Sequence, residues 1–219
     1  MRALRRGGPR KADLLIYRVG EEEVLLKDYS RKAGAWRSVL GRAFTRREAR
    51  ALRRLEGVEG VPQFRGRPDG YSVAMTFVSG RPARRGDPAL NGNRAFVARL
   101  ADTVRQLHAR GVVHLDLKHR SNLMASPEGR PVVLDFESAL CFDLHKRHGA
   151  LAVKLLGRLD WLAVQNWKRR LCPAMLVESE SDARAARLSQ RMKGWFFPTR
   201  VVNAFLDIFL RRPRGGSGA

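Results

Sequence analysis

The segment from residue 108 to residue 139 constrains this chain more than any other. It reads HARGVVHLDLKHRSNLMASPEGRPVVLDFESA. A carboxylate, an ammonium group, an amide and a second carboxylate occur in order at Asp116, Lys118, Asn122 and Asp135. The turn-forming residues between Asn122 and Asp135 predict a hairpin that brings its two ends side by side. Phosphoryl transfer needs these groups, because it depends on positioning, on cations at the phosphates and on oxygen ligands for Mg²⁺.

Composition limits the classes of protein that the chain can belong to. Hydrophobic residues make up 44% of the 219 residues, which is enough for a folded core rather than a disordered basic tail. The formal net charge of +22 predicts attraction to anions: nucleic acid, anionic lipid or a phosphorylated substrate. A genome-wide preference for arginine would also explain the charge, and this alternative stays open.

The cysteines and the N-terminus bear on the compartment. Cys141 and Cys172 lie far apart without CxxC spacing, so neither a disulfide framework nor a zinc site is expected. The N-terminus lacks the apolar run of a signal peptide, and no stretch reaches the roughly 18 apolar residues of a spanning helix. We therefore expect a cytoplasmic protein, with peripheral contact at the anionic inner face of the membrane as an open alternative.

The start of the chain predicts a loop followed by a β-hairpin. Residues 1–12 are basic, contain Gly7-Gly8 and are expected to form a loop. Residues 13–29 contain two apolar runs on either side of a Gly-Glu-Glu turn, which is typical of a hairpin. Lys27 lies in the second run. In isolation, the simplest explanation of this lysine is an edge strand from which it reaches solvent.

A helix and a buried strand are predicted next. Residues 44–56 have apolar positions at helical spacing, with Thr45 as a plausible N-cap and Glu48 at capping-box distance. Glu48 also lies next to the apolar face, so capping and an inward role compete for one carboxylate. Residues 71–78 have the composition of a buried strand.

The second half of the chain is predicted to be mostly helical. Residues 94–110 form a helix by their apolar spacing, and Gly111 follows as a C-terminal signal. After the hairpin predicted within the central segment, residues 151–171 form an amphipathic helix that Cys172-Pro173 ends.

Five blocks in this order resemble the protein-kinase superfamily. Residues 114–118, HLDLK, are similar to the catalytic loop H-R-D-L-K-x-x-N, and residues 135–137, DFE, to the metal loop D-F-G. Upstream, VLLK at 24–27 resembles the strand of the phosphate-binding lysine, RREAR at 46–50 the helix of its glutamate partner, and AMTFVSGRP at 74–82 the hinge. The order and spacing of the blocks agree with the family.

Within the superfamily, the chain resembles the bacterial lipopolysaccharide-core kinases, including the Kdo kinases, and their RIO-type relatives. Five residues separate Asp116 from Asn122 where the common pattern has four, Glu137 replaces the glycine of D-F-G, and no A-P-E motif follows. The resemblance implies an α+β, two-lobed protein-kinase-like fold with a small β-rich N-lobe and a reduced, mostly helical C-lobe. The implied division is a basic N-terminal segment (1–12), the N-lobe (13–78), a hinge and linker (79–92), the C-lobe (93–212) and a flexible tail (213–219).

The same resemblance implies a role for each matching residue of the central segment. Asp116 would orient and deprotonate the acceptor hydroxyl, and Lys118 would neutralise the γ-phosphate of ATP. Asn122 and Asp135 would hold Mg²⁺.

In the N-lobe, the resemblance implies a nucleotide site. Lys27 would hold the α- and β-phosphates of ATP, with Glu48 fixing its position. Thr76, Phe77 and Val78 would contact adenine through backbone atoms.

Some residues leave alternatives open. No GxGxxG precedes the first hairpin, so only Gly7-Gly8 and the arginines around it could cover the phosphates. Glu137 could be a third metal ligand or a solvated surface group, and we favour the second. We expect His114 to brace the catalytic loop by packing and hydrogen bonding rather than to act in catalysis.

The predicted function is an ATP- and Mg²⁺-dependent kinase. Its acceptor would be an anionic small molecule, a glycolipid such as a lipopolysaccharide-type sugar, or a protein serine or threonine. A pseudokinase that acts as a nucleotide-binding or regulatory module is the alternative. A nucleic-acid binder ranks third, because the sequence has no helix-turn-helix, zinc-finger or RNA-recognition pattern. The sequence does not indicate an oligomeric state.

Overall fold

The computed structural model describes residues 2–8, 11–31, 40–84 and 86–173. The predictions for residues 174–212 of the C-lobe and for the tail, residues 213–219, lie outside this part of the chain. The described residues form three antiparallel sheets and three α-helices. None of these helices combines the length and the apolar character that crossing a membrane requires.

A five-stranded antiparallel sheet occupies the first part of the chain. In spatial order its strands are β1 (Arg2–Arg5), β2 (Asp13–Val19), β3 (Glu22–Asp28), β5 (Ser72–Thr76) and β4 (Phe64–Gly66). The hairpin predicted over residues 13–29 is confirmed by the pairing of β2 with β3. Lys27 pairs with Leu14 on one side and Val73 on the other, so β3 is an interior strand and the edge-strand explanation of Lys27 is wrong.

Strand β1 corrects the prediction of a loop over residues 1–12. Arg2–Arg5 pairs with β2, with Arg2 opposite Ile16. All four side chains of β1 are exposed, so the strand buries no apolar group and leaves no hydrophobic pattern in the sequence. Its pairing supplies backbone partners to the edge of β2, which would otherwise be open.

Helix α1 (Arg42–Arg54) begins before the predicted N-cap, so the prediction for Thr45 is wrong. Gly41 occupies the N-cap position, and the buried Thr45 hydroxyl donates to the Gly41 carbonyl at 3.0 Å. The capping box does not form because the Glu48 carboxylate lies against Lys27 instead. Of the two competing roles of Glu48, the structure shows the inward one.

The second half of the described chain surrounds the central segment. Helix α2 (Arg94–Ala109) is capped by Asn93, whose side chain accepts from the Phe96 amide at 2.9 Å. Helix α3 (Arg147–Leu171) begins four residues before its predicted start. Between them lie β7 (Val112–Val113), β8 (Leu123–Ala125), β9 (Pro131–Val133) and β10 (Leu140–Cys141), with β6 (Arg81–Pro82) preceding α2. The predicted hairpin is the pair β8–β9, and β10 pairs with β7.

One hydrophobic cluster joins the five-stranded sheet to the helices. Its members come from α1, β5, α2, the segment after β9 and α3, and include Leu52, Val73, Leu107, Phe136 and Trp167, all at most 1% exposed. Leu25 of β3 packs against the same core and Leu117 belongs to it, so the strand that carries Lys27 and the loop that carries Asp116 have a fixed relation to each other.

Candidate active site

The amine of Lys27 is buried among carboxylates from distant parts of the chain. Its Nζ donates to Glu48 Oε1 at 2.7 Å and to Asp135 Oδ1 at 3.0 Å, and lies 3.6 Å from Glu137 Oε1. Glu48 also accepts from the backbone amide of Phe136 at 3.2 Å. Strand β3, helix α1 and the segment after β9 therefore meet at one ammonium group.

Glu137 is not the solvated side chain that we favoured from the sequence. Its side chain is 13% exposed and accepts from the hydroxyl of the buried Tyr29 at 2.8 Å. Burial and the charge of Glu137 raise the pKa of Tyr29, so its hydroxyl stays protonated and donates. The prediction failed because Tyr29 and Glu137 lie 108 positions apart in the sequence, and no local pattern reveals their contact.

The charges of this cluster shift one another's pKa values. Burial would lower the pKa of Lys27, but Asp135, Glu48 and Glu137 raise it well above its ordinary value. Burial raises the pKa of Glu48 to about 7, against the attraction of Lys27. Burial would raise the pKa of Asp135 as well, but Lys27 brings it below its ordinary value. Lys27 is thus a permanent cation that faces an excess of negative charge.

The predicted catalytic loop, which begins at His114, is anchored by Asp160, a residue for which the sequence suggested no role. Asp160 is 1% exposed, and its two carboxylate oxygens accept from the backbone amides of His114 and Leu115, each at 2.8 Å. His108 Nε2 lies 3.0 Å from the same carboxylate, on the Oδ2 atom. A Cβ on Gly157 would lie 2.8 Å from the His108 ring, so the glycine makes room for this contact.

A sequence signal for Asp160 did exist. Asp160 lies three, four and seven positions before the apolar Ala163, Val164 and Trp167, on the face of α3 that is buried. A carboxylate at such a position needs hydrogen-bond partners. Trp167 supports the same loop, because its indole nitrogen donates to the Leu117 carbonyl at 3.0 Å.

His114 has the bracing role that the sequence suggested. It is fully buried, its Nε2 lies 3.0 Å from the Leu134 carbonyl oxygen, and its ring packs on Phe136 with 4.8 Å between centroids. The neighbouring Leu115 and the downstream Asp135 both have φ of +66°, in the left-handed region that non-glycine residues rarely adopt. Such strained positions cluster at functional sites, where the surrounding contacts hold them in place.

Asp116 and Asn122 are in direct contact in spite of the extra residue between them. Asn122 Nδ2 donates to Asp116 Oδ2 and to the Asp116 carbonyl, each at 3.0 Å, and Asn122 is 2% exposed. The Leu134 amide donates to the Asn122 carbonyl at 2.9 Å, so Asn122 lies beside the residue that precedes Asp135. The hairpin therefore brings both candidate metal ligands and the candidate base to one place.

The remaining candidate residues lie around this centre. Lys118 is exposed on the turn that follows Asp116. Thr76, Phe77 and Val78 end the β5 strand and lead away from it. The amides of Thr76 and Phe77 donate to the carbonyls of Gln63 and Glu23, both at 2.9 Å, so these two donors are used within the sheet.

Gly7 and Gly8 lie in the turn between β1 and β2. The Gly7 amide donates to Asp13 at 2.8 Å, and the Gly8 carbonyl accepts from the Lys11 amide at 3.0 Å. A Cβ on Gly7 would lie 2.2 Å from the Lys11 carbonyl oxygen, so the close approach of the two backbones requires glycine.

Asp135 and Asn122 have the chemistry of a Mg²⁺ site. Mg²⁺ prefers carboxylate and amide oxygens and keeps several waters. The Asp135 side chain is 39% exposed, which leaves access for a hydrated ion, and both donors of the Asn122 amide nitrogen are directed at Asp116. Carboxylate oxygens of Glu48, Asp135 and Glu137 also lie within 4.8 Å of one another, with Lys27 among them.

Comparison with known proteins identifies the fold. No protein-family model matches the chain, and no curated protein sequence matches it. Among solved structures, the Rio2 kinase–ADP/Mg²⁺–phosphoaspartate complex from Chaetomium thermophilum matches 76% of this chain with a TM-score of 0.55 and 17% identity. A second structure of the Rio2 kinase from the same organism matches 74% with a TM-score of 0.53 and 16% identity.

In both comparisons the chain spans 55% of the Rio2 kinase's length. At this identity the likeness shows the fold alone, and the resemblances to RIO-type and Kdo kinases stay predictions. The described residues of this chain have a protein-kinase-like fold.

Proposed function

We propose that the chain transfers the γ-phosphate of ATP to a hydroxyl acceptor with the help of Mg²⁺. The observation that carries the proposal is the buried Lys27, which bonds Glu48 from α1 and Asp135 from the segment after β9. A charged lysine is unfavourable in a protein interior unless carboxylates such as these pair with it. The arrangement suits a cation that contacts phosphates next to a metal-binding carboxylate. The ADP/Mg²⁺ bound to the similar Rio2 kinase supports the same nucleotide and ion here.

Each candidate residue has a role in this reaction that its position allows. Lys27 would hold the α- and β-phosphates while Glu48 fixes its amine. Asp135 and the Asn122 amide oxygen would hold Mg²⁺, which when bound neutralises the phosphate charges. With the amides of Thr76 and Phe77 engaged in the sheet, contact with adenine would use their carbonyls and the backbone of Val78.

Asp116 would act on the acceptor. The Asn122 side-chain amide donates to Asp116 Oδ2. The second oxygen of the Asp116 carboxylate can accept the proton of an acceptor hydroxyl. Lys118, exposed on the next turn, would neutralise charge on the transferring phosphoryl group. Catalysis would come from positioning and charge stabilisation rather than from covalent chemistry.

We propose a lipopolysaccharide-type sugar or a protein serine or threonine as the acceptor. The net charge of +22 supports an anionic acceptor and peripheral contact with anionic membrane. The test follows the γ-phosphate of ATP to lipopolysaccharide precursors, to a generic protein and to the chain itself. We expect Asp116→Asn to reduce the rate about 10²–10⁴-fold, the usual contribution of a general base. The exposed Asp102→Asn on α2 is the control and should leave the rate unchanged.

No transfer to any acceptor, with wild type and Asp116→Asn alike, would contradict kinase activity. The second candidate, a nucleotide-binding regulatory module, is favoured by the absence of a GxGxxG motif. It predicts thermal stabilisation by ATP that requires Mg²⁺ and is lost in Lys27→Ala and Asp135→Asn, without phosphate transfer.

A further inference from the structure

A basic cavity opens beside the catalytic loop. It has a volume of about 540 Å³ and is lined by Pro82, Ala83, Arg84, His119, Arg120 and Ser121. One wall is the stretch after β6, and the other is the turn between Asp116 and Asn122. The Ala83 amide donates to the Leu123 carbonyl at 2.9 Å, which holds the two walls together.

The charge on the cavity wall has one sign. Arg84 and Arg120 are exposed there, and no carboxylate is among the described residues that line it. Asp87, the acidic residue on the nearby loop, pairs with Arg81 at 3.0 Å. Two guanidinium groups and the Nε2 atom of a histidine form a set of donors for a phosphate or carboxylate.

Arg170, on α3, lies over the Trp167 ring, with its guanidinium carbon 5.1 Å from the ring centroid. Burial lowers the pKa of Arg170, and the charge of Arg120 contributes in the same direction. The Nη1 atom of Arg170 is buried and has no hydrogen-bond partner within the described part of the chain.

A chain of hydrogen bonds leads from the cavity to Asp116. His119 Nδ1 lies 2.7 Å from Ser121 Oγ, which donates to Asn122 Oδ1 at 2.9 Å. Asn122 Nδ2 in turn donates to Asp116 Oδ2 at 3.0 Å. The side chains at the cavity wall therefore belong to the network that positions the candidate base.

We propose that Arg84 and Arg120, with His119, form an anion site that holds a phosphate or carboxylate group of the acceptor, so that a hydroxyl of the same molecule reaches Asp116. The proposal rests on the proposed kinase function and narrows its acceptors to a small hydroxyl compound or glycolipid headgroup with a negative group. It also gives a use to the additional residue between Asp116 and Asn122, because His119, Arg120 and Ser121 belong to that longer loop and form one wall of the cavity.

Direct binding tests the site without any need for catalysis. Glucose 6-phosphate is the soluble probe and glucose its uncharged counterpart, and both are titrated by calorimetry in 150 mM KCl. We expect one glucose 6-phosphate to bind per chain, glucose not to bind, and Arg84→Gln/Arg120→Gln to weaken binding at least tenfold. The control Arg18→Gln/Arg99→Gln removes the same charge from exposed positions on β2 and α2 and should change binding less than twofold.

A lipid arm separates a headgroup from a soluble anion. Vesicles of phosphatidylcholine with and without lipid A present the phosphate on a membrane, and the same two double variants are compared by sedimentation with the vesicles. A loss of binding specific to Arg84→Gln/Arg120→Gln supports the site with a lipid headgroup as its source. Equal binding by both double variants to both probes, or no binding of either probe to wild type, overturns the proposal.

Kinetics distinguish the site from the proposed function. Where transfer is measurable, Arg84→Gln/Arg120→Gln should raise the KM for the anionic acceptor at least tenfold and leave the KM for ATP unchanged. A raised KM for ATP alone, or transfer only to protein substrates at the wild-type rate, overturns the acceptor site while the kinase function stands. Probe binding that depends on Arg84 and Arg120 in a chain that transfers no phosphate leaves the anion site standing while the kinase function fails.

Discussion

The two sides of the candidate active site are held together by different kinds of interaction. Around Lys27, ionised side chains from three distant parts of the chain contact one another. Around Asp116, backbone amides of the loop bond to one buried carboxylate, that of Asp160.

This difference matters for what each side can do. An ion pair can exchange one charged partner for another, so in the proposed reaction Lys27 would contact phosphates in place of some of the carboxylates that it contacts here. A backbone amide bonded to Asp160 fixes the shape of the loop and has no such exchange available. The structure therefore combines an adaptable cation with a rigid loop that holds the candidate base.

The rigid side gives the largest expected effect. Asp160→Ala would leave the amides of His114 and Leu115 buried without partners, and we expect it to lower the free energy of unfolding by about 3–5 kcal/mol. Urea denaturation measures the change. Asp102→Ala is the matched control, because that carboxylate is 56% exposed and should contribute less than about 1 kcal/mol. A loss for Asp160→Ala no larger than for the control would mean that the loop is held by other contacts.

The adaptable side should show strong coupling between its partners. Lys27→Met leaves Glu48 buried without its cation, and we expect a loss of about 2–4 kcal/mol. Lys27→Met/Glu48→Gln should be less destabilised than the sum of the two single variants, because the unpaired charge is removed together with its partner. Arg65→Met, which breaks the half-exposed pair with Glu22, is the control and should cost less than about 1 kcal/mol. Additive single effects would argue against a functional ionic cluster.

The pH dependence of the free energy of unfolding should reveal the raised pKa of Glu48. Its pKa of about 7 in the folded protein exceeds its ordinary value of 4.5, so between these values the folded state holds a proton that the unfolded chain has released. This group therefore lowers stability as pH rises through that window, by at most about 1.4 kcal/mol per pH unit. Denaturation at several pH values should show a weaker decline for Glu48→Gln than for wild type, and identical slopes would contradict the assignment.

The smallest effect is expected at the rim of the cluster. Tyr29→Phe removes the hydrogen bond to Glu137 but keeps the buried ring, and should cost about 1 kcal/mol. A double-mutant cycle of Tyr29→Phe and Glu137→Gln, measured by thermal unfolding, tests whether the two side chains are energetically coupled. Full additivity in that cycle would show that the contact contributes nothing to stability.

Local patterns predicted most of the elements, and the family resemblance predicted the pairing of key residues. The hairpin that carries Lys27 followed from two apolar runs on either side of a turn, and the strongly periodic helix α2 was predicted to within one residue at its end. The contact between Lys27 and Glu48 followed from the family resemblance and is present. Such predictions succeed where periodicity and an ordered set of motifs carry the information.

The errors have a common physical cause. The environment of Glu137 and the role of Asp160 each depend on a contact with a residue far along the chain, and strand β1 depends on its pairing with β2. The exposed arginines of β1 carry no apolar pattern, and Tyr29 gives no local sign that it will bond Glu137. The spacing of Thr45 and Glu48 predicts a capping box. In the structure, Glu48 contacts Lys27 and the Thr45 hydroxyl donates to the Gly41 carbonyl, so the tertiary contact outweighs the local capping preference.

The glycine at position 157 has a consequence for efforts to make this protein more thermostable. Replacing glycine by alanine within a helix ordinarily stabilises a protein by about 0.4–1 kcal/mol, since it restricts the unfolded chain. Here the added methyl group would occupy the space of the His108 ring and displace it from Asp160. A routine stabilising substitution would thus act on the anchor of the catalytic loop, and Gly157 should be left out of any such set of changes.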